Sequence, residues 1–287
     1  MYKLELQNVS YIYSPKTAYE KIALNDVSVG FEEGKTTGII GHTGSGKSTL
    51  VQLLNGLEKP SSGKVLLDGK DIWEKPKKIR DVRFKVGLTM QYPEYQLFEE
   101  TVRKDIAFGP KNMGLDDTEI ERRVLDAVDT VGLDRDVLEK SPFDISGGQK
   151  RRVAIAGVMA TEPEVLVLDE PASGLDPEGR ERIFSSIAEY KKRKNATIII
   201  VGHSMEDMAR WCDDLVVMSD AKVAMSGKRD AIFERSSELS FLGLDVPQIT
   251  HLMLALRRRG VNISENVYTV DAAVAALTDI FKTKGQK

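Results

Sequence analysis

The sequence predicts an α/β protein, and three observations carry that prediction. Val165–Leu168 and Thr197–Val201 are unbroken runs of apolar, largely β-branched residues, the composition of parallel strands buried on both faces. From Gly46 the pattern becomes helical, with Leu50, Leu53, Leu54 and Leu57 spaced i, i+3, i+4, i+7. Strand, helix and strand then recur at intervals that suit α/β architecture.

Taken in order, Leu4, Leu6 and Val9 among polar neighbours predict a half-buried first strand. Ala23–Phe31 predicts a second strand, and Thr36–Ile40 a short buried one ending at a glycine. The helix that follows is broken by Pro60–Gly63, and Lys64–Leu67 begins another strand. A helical stretch is expected from about Glu100 to Ala160, with Ile120, Val124, Val128 and Val131 as its apolar stripe. Asp176-Pro177 is an N-cap followed by proline at the first helical position, and its helix turns Ile183, Phe184 and Ile187 inward. Leu215–Met218 is one more short strand.

After about Arg235 the character changes. Pro247 opens a helix with Ile249, Leu252, Met253 and Leu256 on one face, ending in Arg257-Arg258-Arg259-Gly260. A second helix carries Val274, Leu277 and Phe281, and the lysine-rich end from Lys282 to Lys287 is expected to fray. The reading is therefore a main domain over 1–235, holding a helical subdomain over about 93–160, and a 236–287 extension too small to be stable alone.

Composition narrows the function. The 287 residues are 41% hydrophobic and 30% charged, as in a globular domain with a sizeable core. Lys+Arg 41 against Asp+Glu 44 gives −3, without the basic excess of a nucleic-acid binder. A single cysteine, Cys212, excludes an internal disulfide. No apolar run approaches bilayer length, and the first residues hold no apolar signal region. The expected place is the cytoplasm, with any work at a membrane done by docking onto an embedded protein.

Gly41-His42-Thr43-Gly44-Ser45-Gly46-Lys47-Ser48-Thr49 fills the P-loop pattern G-x-x-x-x-G-K-[ST]. Its glycines let successive backbone N–H groups turn inward on a phosphate, and the helix that starts here adds its N-terminal dipole. Lys47 can reach the β- and γ-phosphates, and the Ser48 hydroxyl can ligate magnesium. Val165–Leu168 then delivers Asp169 and Glu170 to the C-terminal end of a buried strand, where α/β sheets bind ligands. Asp169 is the candidate magnesium ligand, and Glu170 the candidate general base for an attacking water.

Ile145-Ser146-Gly147-Gly148-Gln149 resembles the signature sequence of ATP-binding cassette (ABC) ATPases, where leucine is more usual first. Directly before a helix, its serine and two glycines make a second phosphate-binding nest. The resemblance covers residues 1 to about 235 and implies a P-loop NTPase fold with a RecA-like core and an inserted helical subdomain. It implies ATP and Mg2+ as nucleotide and cofactor. Tyr13 resembles the aromatic that stacks on adenine, with Tyr11 a competitor. Gln91 resembles the Q-loop glutamine beside the metal, Ser173-Gly174-Leu175-Asp176 the D-loop, and His203 the switch histidine at the γ-phosphate. In this family two subunits pair head to tail, so Ser146, Gly147, Gly148 and Gln149 would serve the partner's ATP.

Within the family, Gln91-Tyr92-Pro93-Glu94-Tyr95-Gln96-Leu97-Phe98 is similar to the Q-loop segment of energy-coupling factor transporter ATPases. Gly41–Gly44, Pro142–Gly148 and the Leu244–Thr250 lead into the tail resemble the second of its two paralogous ATP-binding subunits, although Lys150 stands where methionine is expected. This resemblance implies an ATPase driving uptake of vitamins or other micronutrients from the cytoplasmic face of the cell membrane. Its implied partners are a paralogous ATPase subunit (a homodimer being the other option), a transmembrane coupling subunit and a substrate-binding membrane subunit. Tyr92–Phe98 is then a docking segment, the alternative being a surface loop with two buried aromatics. The tail is a dimer contact or packs on its own ATPase domain. Competing functions are an ABC importer of metal-ion type, a soluble ABC ATPase on nucleic acid or ribosomes, and a gated subunit with a dead site.

Overall fold

The structure, a computed structural model, describes residues 1–264 and 266–284, and among them ten strands form two sheets. β1 (Tyr2–Tyr13) and β2 (Lys21–Glu32) pair antiparallel. Leu4, Leu6 and Val9 all reach the core although their spacing is two and then three, which a regular strand does not allow. The register shifts between Leu6 and Val9, and Asn8, at φ 50°, absorbs the extra residue.

β3 (Thr36–Gly41) is buried along its whole length and leads into α1 (Lys47–Leu54). This helix ends a turn earlier than its apolar spacing predicted, leaving Leu57 outside it and exposed. Gly56, at φ 69°, donates its N–H to Leu53, and Leu57 donates to Gln52, so a Schellman turn closes the helix. The Asn55 amide at the cap donates to the carbonyl of Val86.

β4 (Ser62–Leu67) and β5 (Lys70–Asp71) complete an antiparallel sheet in the order β2-β1-β4-β5. α2 (Ile79–Lys85) and β6 (Val86–Thr89) follow, two elements that the sequence reading did not assign. The expected helical region resolves into α3 (Val102–Asn112), α4 (Asp117–Thr130) and α5 (Gly147–Met159), with short 3-10 turns between α4 and α5. Ile120, Val124, Val128 and Val131 are all buried, as the stripe predicted.

β7 (Val165–Asp169), α6 (Pro177–Lys194), β8 (Thr197–Val201), α7 (Met205–Trp211), β9 (Asp214–Ser219) and β10 (Lys222–Lys228) finish the main body. The second sheet has the order β10-β9-β3-β8-β7-β6, parallel except for β10. Its strands are covered on both sides. Leu166, Leu168, Ile198 and Ile200 join the helical core, whereas Val165, Val167, Ile199 and Val201 face the core shared with the antiparallel sheet. Asp176 caps α6 by accepting from the N–H of Gly179 at 2.7 Å, and Ile183, Phe184 and Ile187 are buried.

α8 (Arg229–Phe233), α9 (Ser236–Phe241), α10 (Gln248–Arg258) and α11 (Val270–Lys284) end the chain. Met253, Ile263, Val267 and Ala273 form a small separate cluster, while Val246 and Tyr268 belong to the main core. Leu252 and Val274, expected on the inward stripes, are exposed. Two short helices that meet each other bury only narrow stripes, and here these run through Met253 and Ala273. The side chain of Phe281 lies outside what the structure describes; α11 continues to Lys284, and 285–287 lie outside the described residues. No helix among the described residues is long and apolar enough to cross a membrane.

Candidate functional site

Four loops leave the C-terminal ends of four neighbouring parallel strands, β3, β8, β7 and β6. They carry the glycine loop, His203, the Asp169–Glu170 pair and Gln91 respectively. Strand register sets the spacing. Thr89 pairs with Leu168 and Asp169 with Val201, so Gln91 and His203 both arrive level with Glu170. Gln91 donates its amide to Glu170 Oε2 at 3.2 Å, and His203 Nδ1 lies 3.3 Å from Glu170 Oε1. Glu170 sits at φ 50°, a backbone twist that turns its side chain off the line of β7.

The glycine loop is shaped by close approach. A Cβ on Gly41 would stand 2.3 Å from the carbonyl oxygen of Met218, and one on Gly46 2.5 Å from that of Ala23. Both positions also have positive φ, so only glycine fits without strain. Lys47 folds back to donate to the carbonyls of Gly41 at 2.8 Å and His42 at 3.0 Å. Burial lowers the pKa of its ammonium, against the opposing pull of Asp169 and Glu170. Ser45 Oγ is buried without a hydrogen-bond partner beneath the loop, whereas Ser48 is exposed on it.

Asp169 is buried, and Ser48 and Lys47 beside it favour its ionised form. Burial, reinforced by the Glu170 charge, raises its carboxyl above the ordinary range, against Ser48 and Lys47. Lys47, Ser48, Gln91, Asp169 and Glu170 line one cavity of about 250 Å³. Tyr13 and Thr49 line it too, with their hydroxyl oxygens 3.1 Å apart. Tyr11 packs edge-to-face on Tyr13, is partly buried, and donates its hydroxyl to Glu58 at 2.5 Å.

Ser146 stands elsewhere, in a cavity of about 460 Å³ shared with Gly148, Gly174 and Asp176. Ser146 caps α5, with Oγ accepting from the N–H of Gln149 while the Gln149 side chain accepts from the N–H of Ser146. Around Gly147, Gly148 and Gly174 a Cβ would meet nothing within 4 Å. One chain thus brings the P-loop residues together with Gln91, Asp169 and Glu170, and sets the Ser146 nest beside the Ser173–Asp176 loop in a separate pocket.

The segment after Gln91 lies at the surface. Tyr92, Tyr95 and Phe98 are exposed, and Leu97 is half-buried on the main core. Two buried aromatics, the alternative reading of this loop, are not what is found. Phe98 stacks edge-to-face on Phe108 at 5.0 Å beside a groove of about 430 Å³. Sequence reasoning passed over Arg151, which is buried and bonded to Glu94 and Ser173. Its signal was available. Arg151 falls one turn before Ile155 and two before Met159, a charge on an apolar helix stripe.

Comparison with known proteins gives these features a family. The model for ABC transporter proteins matches residues 24–173. The chain is 51% identical to the energy-coupling factor transporter ATP-binding protein EcfA2 of Clostridium perfringens over 280 residues, 97% of this chain and 98% of that protein. It is 50% identical to the protein of that name from Clostridium tetani, covering 98% of each. The chain belongs to the ABC transporter family, with the energy-coupling factor ATP-binding proteins. Solved ABC structures share its fold. One is cbiO1 of Clostridium perfringens, described as part of the ABC transporter complex cbiONQ, at TM-score 0.75 and 39% identity, covering 88% of this chain and 98% of that one. Another is a dimeric ATP-binding cassette in a post-hydrolysis state with ADP and Pi, at TM-score 0.71 and 26% identity, covering 79% and 98%. As an ABC ATPase, the chain has the P-loop NTPase core expected from its motifs.

Proposed function

We propose that this chain is the ATP-hydrolysing subunit of an energy-coupling factor importer, working on the cytoplasmic face of the membrane. One observation carries the proposal: the Glu170 carboxylate sits between Gln91 and His203, at the rim of the cavity that holds Lys47 and Ser48. Backbone N–H groups of 41–49 grip the phosphates, and Lys47 exchanges its two carbonyl partners for phosphate oxygens. Tyr13, exposed on the cavity wall, is the residue suited to stack on adenine, rather than Tyr11, which is partly buried outside that lining. Glu170 takes the proton of the attacking water, and His203 and Gln91 hold that carboxylate in place.

Ser48, Asp169 and Gln91 form a hard oxygen donor set that fits Mg2+. Further ligands would come from phosphate oxygens and water. Bound there, the ion neutralises phosphate charge as it does in other P-loop enzymes.

The Ser146 nest serves the ATP of a second, paralogous ATPase subunit, because it opens into its own pocket away from Lys47. The groove beside Phe98 and Phe108 suits an apolar helix of a transmembrane coupling subunit, the helix-in-groove mode. The extension contributes to the ATPase pair through its exposed Leu252, Val270 and Val274. Purifying the chain from solubilised membranes tests the assignment. A second ATPase and integral membrane proteins should accompany it, with ATP-dependent uptake by reconstituted vesicles. Recovery with ribosomes or DNA and without membrane proteins would defeat it.

A further inference from the structure

Among the described residues two charged side chains are buried: Asp169, in the phosphate cavity, and Arg151. A buried charge is costly unless its hydrogen bonds are met, and the hydrolytic scheme above makes no use of Arg151. Its guanidinium grips the carboxylate of Glu94 with both forks, Nε to Oε2 at 3.0 Å and Nη2 to Oε1 at 2.6 Å. The remaining terminal nitrogen, Nη1, donates to the backbone carbonyl of Ser173. The guanidinium carbon also stands 5.8 Å from the centre of the Tyr92 ring.

These contacts belong to three different parts of the site. Glu94 lies in the 3-10 turn Pro93–Gln96, on the segment that leads to the apolar groove. Arg151 is on α5, whose N-terminus is the Ser146 nest. Ser173 closes the turn after Glu170, donating its N–H to the Glu170 carbonyl at 3.2 Å. One planar group therefore ties the groove segment, the signature helix and the loop beside the base. A bidentate fork transmits direction as well as charge, because it tolerates little rotation.

We propose that Arg151 is a positioning residue that couples a partner helix in the 92–98 groove to the Ser146 nest and the turn after Glu170. The inference rests on the docking reading of that groove. A partner that shifts Glu94 drags the guanidinium, and with it the N-terminal end of α5 and the Ser173 carbonyl. Burial opposes ionisation of Glu94, yet its bonds to Arg151 win and hold its carboxyl below the ordinary value, so the link stays charged at neutral pH.

The decisive variant replaces the pair rather than breaking it: Glu94→Leu together with Arg151→Met. Exchanging a buried ion pair for apolar residues of similar volume is often neutral in stability, whereas removing one partner is not. In the full transporter complex, the double variant should assemble and keep its KM for ATP, with a thermal midpoint lowered only by the lost bond to the Ser173 carbonyl. Stimulation is read against the variant's own basal turnover. The stimulation of kcat by the membrane subunits should fall about 5- to 150-fold, the usual span of a coupling between sites. Arg151→Lys, which keeps the charge but loses the fork, should fall part of the way. Undiminished stimulation in the assembled double variant overturns the proposal. So does a drop in thermal midpoint or assembly that accounts for the lost turnover, since the pair is then only a brace. Parent complex whose turnover ignores its membrane subunits refutes the docking reading first, before any variant is made, and takes this inference with it.

Discussion

The phosphate cavity and the signature nest are both glycine-lined helix N-termini, yet they are built to different degrees. Around Gly41 and Gly46 the backbone is crowded by Met218 and Ala23, and Asp169, Gln91 and Glu170 converge on Lys47 and Ser48. Around Gly147, Gly148 and Gly174 there is open space, and Ser146 spends its hydroxyl on capping its own helix. The first site gathers Lys47, Ser48, Asp169 and Glu170 in one cavity of the chain, whereas the second holds none of them. Nucleotide binding by the isolated chain should respond to variants that remove phosphate contacts in the first and ignore variants in the second.

The largest effect is expected at Glu170. Glu170→Gln should lower turnover about 10²- to 10⁴-fold, the scale of a lost general base, with ATP binding retained. Steady-state hydrolysis beside equilibrium binding checks it, and parent-like turnover carried by this site would refute the assignment. Ser146→Ala should reduce turnover of the assembled pair about 10²-fold, as when one donor to developing phosphate charge is removed. It also costs about 1 kcal/mol of helix capping, visible in thermal melting. Unaltered ATP affinity in the isolated chain keeps the comparison between the two sites intact, and a weakened one would break it.

Lys47→Ala should act in the opposite sense, weakening ATP binding by the isolated chain. Losing charged hydrogen bonds worth about 1.5–3 kcal/mol corresponds to roughly 10- to 150-fold in affinity. Calorimetry on mutant and parent decides whether the first site is as self-contained as its packing implies.

The smallest effect concerns Asp169. Burial raises its folded pKa above the ordinary 3.8, so the native state holds the proton that the unfolded chain has already lost. The nucleotide-free chain therefore loses stability as pH rises from 3.8 through the raised folded value, and is still without it at neutral pH. Asp169→Asn should raise the nucleotide-free thermal midpoint by a few degrees at pH 7 and flatten that part of the pH profile. The same variant should lose the extra stabilisation that magnesium gives with ATP. A lower midpoint without nucleotide would show that the ionised carboxylate is held by its neighbours rather than strained by burial.

Legibility in the sequence followed the range of the interactions involved. The glycine loop, the capped start of α6 and the two-sided strands Val165–Asp169 and Thr197–Val201 were all readable, because each is specified within a dozen residues. Leu57 deceived the helical spacing because Gly56, at φ 69°, turns the chain out of the helix in a Schellman motif. Leu252 and Val274 deceived it because apolar spacing says which face is greasy, not whether a neighbour covers it. Arg151 was overlooked because its partners, Glu94 and Ser173, lie far from it along the chain.

By itself, then, the sequence determined the chemistry: which backbone can wrap a phosphate, which strand delivers carboxylates and which nest caps a helix. Those are local properties of φ, hydrogen-bond donors and side-chain type, and they travel with the segment. Tertiary structure alone decided which groups meet. Register across β6, β7 and β8 set Gln91 and His203 on either side of Glu170, and the helical region between β6 and β7 carried the Ser146 nest to a different pocket from Lys47. That register could not be read along the chain, because pairing between strands depends on burying two faces of one sheet at once.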